Sequence, residues 1–315
     1  MKFETSLPES VPLTITALQS FEARVFGKWI LAGEHSVLRG SPALVFPLYS
    51  CYLDFAFQNQ GQEKELRLQL MGPHGDEMRL LFWGVLEKAC EMCGLSRSDF
   101  RGVIQIRSTV PVGAGLGASA SLCVALSRWF HSLGQVSNND LYEFARSLEN
   151  LFHGESSGVD IAVALSGQGL RFVRDGERKS VALNWSPRWY VSYSGQRGIT
   201  SECVAKVKAL LLGNPELGNQ IDLAMQKAVM MAEKALEISE VEGLPLLAEA
   251  IQLGAKCFEQ WGLMPQDHVQ KLREAGAIAV KPTGSGGGGY VLSLWDREPT
   301  GLITDQLIPC FVSNV

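Results

Sequence analysis

The residues of this chain most able to do chemistry gather around Pro111-Val112-Gly113-Ala114-Gly115-Leu116-Gly117-Ala118-Ser119-Ala120-Ser121. Glycines let a backbone turn sharply and bring its N–H groups against a ligand without interference from Cβ. The run ASLCVALSRWF that follows has the spacing of a helix. A helix starting there adds unpaired N–H groups and the positive end of its dipole, so the natural guest is an anion and the turn reads as a phosphate cradle. Other readings are weaker. Gly113-x-Gly115-x-x-Ala118 satisfies a loose dinucleotide fingerprint, but that pattern needs a second strand ending in an acidic residue about twenty positions on. Here the chain runs from the helix into Ser137-Asn138-Asn139-Asp140 and another helix, with Asp140 placed as a cap. A Walker-type loop needs Gly-Lys-Ser/Thr after the glycines, and none follows. A glycine-rich turn without a ligand is the plain structural alternative.

Three further side chains are open to chemistry, each with an ordinary structural account beside it. Lys28 stands between apolar runs in FEARVFGKWILAGEHSVLRG, where an ammonium is costly to bury without a partner. A snorkelling surface lysine is the ordinary account. Glu149 falls on or beside the inward face of a helix marked by Leu141, Phe144, Leu148 and Leu151; it is otherwise a solvated helix residue. Asp160 stands where the segment after Ser157-Gly158 begins to be helical, and it is otherwise an N-cap. Glu34 and His35 follow the break at Gly33 as the polar tip of a turn.

The elements that must position these groups can be read in order. A strand runs from about residue 21 through Leu31, residues 42–58 read as strands, and 59–76 is a loop, a hairpin or a weak outer strand. A helix over 79–94, a strand over 102–109, the phosphate turn and its helix follow, then helices ending near Gly154 and beginning near Asp160. Residues 169–194 read as two or three strands with a turn at Asp175-Gly176, and helices are expected over 201–212, 219–241 and 244–260. Near the end, GAIAVKPTGSGGGGYVLSL sets Gly286 to Gly289 between two strands. That glycine density is expensive in folding entropy and implies a backbone pressed close to something, such as the phosphate turn or its ligand. No composition shift marks a linker; the division is placed loosely near 175–190, giving domains of 1–182 and 183–315.

With 315 residues there is room for two domains, and 46% hydrophobic with 19% charged residues is ordinary for a globular protein and suggests no disordered or repeat class. A net charge of -5 argues against nucleic acid or an acidic membrane as partner, while leaving room for a small anion held by a few focused cations. The start, MKFETSLPESVPL, has no signal-like apolar stretch, and nowhere do about 18 apolar residues run together, so a cytoplasmic location is expected. Seven scattered cysteines fit reduced thiols, with Cys90 and Cys93 as core thiols on one helix face.

Taken jointly, these stretches resemble the GHMP kinase superfamily and, within it, the mevalonate kinases. The resemblance covers nearly the whole chain through three motifs in the family's order. The first is Gly27-Lys28-x-x-Leu31-x-Gly33-Glu34-His35-x-Val37-x-x-Gly40, the second Pro111-x-Gly113-x-Gly115-Leu116-Gly117-x-Ser119-Ala120, and the third Lys281-x-Thr283-Gly284-x-Gly286-Gly287-Gly288-Gly289. Between the second and third lie Glu149, His153-Gly154 and Ser157-Gly158-Val159-Asp160, at the spacing these kinases keep between an acidic metal ligand and a catalytic aspartate. The chain departs from the family pattern at Val25-Phe26, Ala118 and Ile161.

The resemblance implies an α+β, two-domain GHMP kinase fold: an N-terminal α/β domain with a left-handed β-α-β element, then a ferredoxin-like C-terminal domain, with the active site in the cleft. It implies phosphoryl transfer from ATP to an alcohol, which needs positioning, a metal against the phosphates, and a destination for the hydroxyl proton. By resemblance, Pro111, Gly113, Ala114, Gly115, Leu116, Gly117, Ala118 and Ser119 cradle ATP, and Ser119 and Glu149 hold Mg²⁺ with hard oxygen ligands. Asp160 accepts the proton, and Lys28 sits beside Asp160 and the hydroxyl, favouring the alkoxide. Glu34, His35, Arg197, Thr200 and Thr283 lie near the acceptor, and the lack of the Asp-Tyr that galactokinases carry after Glu-His favours mevalonate over a sugar. A homodimer is likewise implied. Phosphomevalonate or another hydroxy acid as acceptor, a catalytically idle ATP-binding sensor, and an NAD-linked oxidoreductase are the competing readings, in that order.

Overall fold

The computed structural model describes residues 20–153 and 156–311. The N-terminal stretch discussed above, Gly154 and the last four residues lie outside that range.

Strand β1 (Ser20–Ala32) and strand β2 (Ala43–Gln58) form a long antiparallel hairpin. The outer half of β1 alternates exposed and half-buried residues, as a one-sided strand should, while Gly27 to Ala32 is buried on both faces. Its pairing with β2 slips between Phe26 and Gly27 and again between Ile30 and Ala32. Lys28 therefore sits between two irregularities of the kind that re-aim side chains.

Residues 42–58 make one strand, not several, because the two ends of β2 take different partners. Its first residues pair with strand β5 (Leu170–Phe172) and its last with strand β4 (Gly102–Ser108). Strand β3 (Leu66–Met71) is the weak outer strand of the ambiguous 59–76 stretch; it pairs in parallel with β4 across helix α1 (Gly75–Met92), forming the β-α-β element. Strand β6 (Arg178–Ser180) closes the opposite edge.

The second sheet opens with strand β7 (Arg188–Tyr193) and adds strands β8 (Ala279–Pro282), β9 (Tyr290–Trp295) and β10 (Ile308–Pro309). All its pairings are antiparallel in the order β10-β7-β9-β8, the 4-1-3-2 arrangement of a ferredoxin-like sheet. Its first crossover is enlarged to helices α5 (Thr200–Gly213), α6 (Pro215–Glu237), α7 (Glu240–Gln260) and α8 (Gln266–Glu274). Its second is reduced to a single 3₁₀ turn at Thr304–Gln306. Sequence reading passes over α8 because QDHVQKLRE is almost wholly polar; only His268, Val269 and Leu272 are buried.

The core is centred on helix α2 (Ala118–Ser132), buried on almost every side, with helices α3 (Leu141–His153) and α4 (Val159–Ser166) packed on it. Such a helix carries little polarity, and its buried Ser121 and Ser127 hydroxyls are satisfied by carbonyls one turn back, Gly117 at 2.9 Å and Cys123 at 2.7 Å. The two sheets meet at an aromatic seam. Trp29 stacks on Phe46 at 5.0 Å and receives the edge of Trp189 from β7 at 4.8 Å. Burying each such side chain contributes on the order of 1.5–3 kcal/mol, which fixes the sheets to one another at that point.

Candidate active site

The phosphate turn is tied down by its carbonyls, which leaves its amides free. Leu116 accepts from the Lys28 N–H at 2.9 Å, and Ser121 Oγ donates to Phe26 O at 3.1 Å, so β1 holds both sides of the turn. No backbone N–H from Val112 to Ser119 donates to another atom of the described residues. A row of unpaired donors, continued into the first turn of a helix, has the chemistry that receives an anion. Gly117 has φ 80°, and an ideal Cβ on it would lie 2.8 Å from Lys28 Cγ. Glycine there allows the turn and the lysine to share one space.

The second sheet covers this turn with its own glycines. An ideal Cβ on Gly289 would stand 3.1 Å from Ala114 O, and one on Gly284 would stand 3.5 Å from Gly115 O. The expectation that the tetraglycine run presses a backbone against the phosphate turn is met. Gly289 is held in turn by Gln196, whose carbonyl accepts its N–H at 2.7 Å. The neighbouring Arg197 lays its exposed guanidinium directly on Gly113.

Lys28 is only 5% exposed and pairs with Asp160, Nζ to Oδ1 at 2.9 Å. The snorkelling account of this lysine therefore does not hold. Asp160 occupies the second position of α4, which Gly158 caps with φ 78°, so the carboxylate also faces the positive end of that helix. Glu149, on the inward face of α3, is 1% exposed. Burial, reinforced by the like charge of Asp160, pushes its carboxyl up to about 8. Among the described residues no cation lies within ion-pair distance of it, and its hydrogen-bond donor is Ser156 Oγ. Ser119 is half-buried at the start of α2, one turn before Cys123, whose thiol feels the Glu149 charge.

Glu34 and His35 are brought to the site but not to its surface. The Glu34 carboxylate is 2% exposed and bonds the ammonium of Lys281, which also donates to Pro282 O at 2.6 Å and Ile30 O at 3.4 Å. Burial pushes Glu34 up and Lys281 down, each against the attraction of the other. His35, at φ 57°, shares its Nε2 with Ser285 O at 2.9 Å and packs against Trp261 at 4.9 Å. Burial lowers its pKa to about 4, so near neutrality it is an uncharged donor. Thr283 spends its hydroxyl on the Ile30 backbone, accepting from N at 2.8 Å and donating to O at 3.0 Å. These three side chains join the first motif to the third. Thr200 and Arg197 are exposed at the rim, with the Thr200 hydroxyl 3.4 Å from Ser285 Oγ.

Residues 81–168 match the model of the GHMP kinases N terminal domain. Over 290 residues the chain is 32% identical to the mevalonate kinase of Pyrococcus horikoshii, covering 85% of this chain and 86% of that one. The chain belongs to the mevalonate kinase family. The mevalonate kinase of Thermococcus sibiricus is 30% identical over 305 residues, covering 88% of this chain and 90% of its own. Among solved structures, L. major mevalonate kinase in complex with R-mevalonate superimposes with a TM-score of 0.73 at 23% identity, over 88% of this chain and 87% of that one. Streptococcus pneumoniae phosphomevalonate kinase with phosphomevalonate and AMPPNP gives 0.68 at 16% identity, over 88% and 93%. Those two likenesses show the fold, the α+β fold of the GHMP kinases.

Within this family fold, sequence reading missed three groups that hold the site together. Lys281 was visible only as the first letter of a motif, and its partner lies 247 residues away. Ser156 sits beside the motif serine Ser157 and carries no signal of its own. Tyr142 reads as an ordinary helix aromatic, yet its buried hydroxyl occupies the space where a Cβ on Gly158 would be, 2.0 Å from the ideal position.

Proposed function

We infer that this protein transfers the γ-phosphoryl group of ATP to the C5 hydroxyl of mevalonate, releasing ADP and 5-phosphomevalonate. The observation that carries the reading is the 2.9 Å contact of Lys28 with Asp160 beside a turn of unpaired amides. A protein that only binds nucleotide has no chemical use for a base at that point. The free amides of Val112 to Ser119 and the start of α2 receive the phosphates. Asp160 takes the proton of the acceptor hydroxyl as the oxygen bonds to the γ-phosphorus and the bond from that phosphorus to the ADP oxygen breaks. Lys28, held against Asp160, presents its ammonium to the same oxygen and favours the alkoxide. Arg197 and Thr200 at the exposed rim suit the carboxylate end of a hydroxy acid. Glu34, His35 and Thr283 act as a clasp between the motifs that frame the acceptor.

The donor set fits magnesium. Glu149 is a buried carboxylate beside a second carboxylate with no cation within ion-pair distance among the described residues, and Ser119 offers a hydroxyl at the head of α2. An ion held by these hard oxygens would supply neutralisation of the β- and γ-phosphate charge. The same reading carries a cytoplasmic location and a homodimer; no helix of the described residues is long and apolar enough to cross a membrane.

The test is ADP release by the purified protein with Mg-ATP across mevalonate, phosphomevalonate, galactose, homoserine and a blank, with the product identified by mass and NMR. Turnover with mevalonate alone, phosphorylated at C5, is expected. Turnover with phosphomevalonate instead would replace the acceptor and keep the mechanism. Tight ATP binding without turnover would make the protein a nucleotide sensor.

A further inference from the structure

We propose that Ser156 is a positioning residue that sets the placement of Glu149 relative to Asp160 through a single buried hydroxyl. Ser156 is 6% exposed and lies in the short connection between α3 and α4. Its Oγ donates to Glu149 Oε2 and accepts the N–H of Gly158, the residue that caps α4, at 3.0 Å. Its own N–H donates to Asn150 Oδ1 at 2.8 Å, so the serine is held to α3 from the backbone side as well. One hydroxyl thus touches the Glu149 carboxylate and, two residues before Asp160, the backbone from which that aspartate projects. The adjacent Ser157 does something different, accepting only the local N–H of Val159 at 3.3 Å.

Several features make this hydroxyl more than a turn filler. Among the described residues it provides the hydrogen bond to Glu149, a carboxylate that burial and the like charge of Asp160 disfavour and that Lys28 and Arg146 support only from beyond ion-pair distance. A buried carboxylate with rotational freedom would point its oxygens in several directions, whereas one held at Oε2 keeps Oε1 aimed consistently. The α4 side is fixed independently: Tyr142 fills the space beside Gly158, and Lys28 holds Asp160 at 2.9 Å. Ser156 is the link between two fixed points. Groups that orient a metal ligand without touching the metal typically change affinity by about 10–100-fold when removed.

The proposal rests on Glu149 being a metal ligand, and the test separates the two. Mn²⁺ binding is measured by EPR on the whole protein saturated with a non-hydrolysable ATP analogue, for wild type, Ser156→Ala, Ser156→Thr and Glu149→Gln, alongside the Mg²⁺ concentration for half-maximal turnover and the thermal midpoint. For Ser156→Ala we expect Mn²⁺ binding weakened about 10-fold, a matching rise in the Mg²⁺ requirement and a thermal midpoint lowered by no more than about 5 °C. Ser156→Thr, which restores the hydroxyl, should come within about threefold of wild type, as expected if the hydroxyl and not the side-chain volume is what counts. If Glu149→Gln loses metal affinity while Ser156→Ala does not, or if Ala and Thr weaken binding equally, the positioning role is overturned and the metal assignment stands. If Glu149→Gln binds Mn²⁺ as well as wild type, the metal assignment falls and takes this role with it.

Discussion

Breaking the buried pair between Glu34 and Lys281 should cost both stability and phosphate handling, in a pattern that identifies what the pair is for. In Glu34→Gln the ammonium stays in a site with no exposure, keeping the Pro282 and Ile30 carbonyls and losing its countercharge. Removing one partner of such a pair typically costs about 3–5 kcal/mol. Lys281→Met should cost less, because burial favours the neutral form of the abandoned Glu34, whereas the ammonium left by Glu34→Gln is kept charged by the Pro282 and Ile30 carbonyls even though burial opposes it. What is left is an imperfectly satisfied buried acid, at about 1–3 kcal/mol. The double variant removes both problems at once, so the pair should show a coupling of about 2 kcal/mol or more. Unfolding entropy near 2.1 cal/mol/K per residue puts Glu34→Gln about 5–8 °C below wild type by calorimetry at pH 7.5. Because the pair joins the turn after β1 to the strand leading into the glycines that cover the phosphate turn, kcat/KM for Mg-ATP should fall about tenfold in each single variant, a loss of about 1.4 kcal/mol in transition-state stabilisation. Additive losses in the double variant, or midpoints within a degree of wild type, would refute the account of the pair as a clasp.

Three further outcomes follow from the geometry. Asp160→Asn should lower kcat by about 10²–10⁴ with the KM for ATP within a few-fold of wild type, measured by coupled ADP release; near-normal turnover would remove the base from its role. Gly158→Ala places a methyl onto the Tyr142 hydroxyl and strains a backbone at φ 78°, so it should destabilise by at least about 1–3 kcal/mol, with Tyr142→Phe partly restoring the thermal midpoint. For His35, the unfolded chain protonates the imidazole below about 6.5 and the folded chain does so only below about 4. Its contribution is therefore complete above pH 6.5 and is lost as the pH falls toward 4, a change of roughly 3 kcal/mol at 1.36 kcal/mol per pH unit. His35→Asn, which tolerates the left-handed backbone, should flatten that part of the stability profile in denaturant titrations.

Much of the scaffold was legible because it is written in local chemistry. The phosphate turn, the helix behind it, the inward placement of Glu149 and the helix starting beside Asp160 all follow from glycine content and apolar spacing within a dozen or so residues. The partner of Lys28 is not local. From its own neighbourhood the lysine reads as a snorkelling side chain, and only the family resemblance put it next to Asp160, where the structure has it. Glu34, His35 and Thr283 are instructive in another way. Their motifs pointed to the acceptor, but Glu34 Oε1, His35 Nε2 and the Thr283 hydroxyl are spent on contacts between β1 or the turn after it and residues 281–285, more than 240 residues away in sequence. No periodicity carries that information. Helix α8 was missed for the opposite reason, since a short polar helix held by three buried side chains has too little apolar pattern to detect.

The contacts that bind Ile30 to Thr283 and Glu34 to Lys281 have a mechanical consequence. All are buried and tie the first motif to β8 and the turn after it, whereas Arg197, Thr200 and Gly113 of the phosphate turn are exposed. Buried, mutually satisfied contacts separate less readily than exposed ones. Local opening is therefore expected first around the exposed Arg197 and Thr200, and last at the buried seam that carries Lys28 and, through it, Asp160.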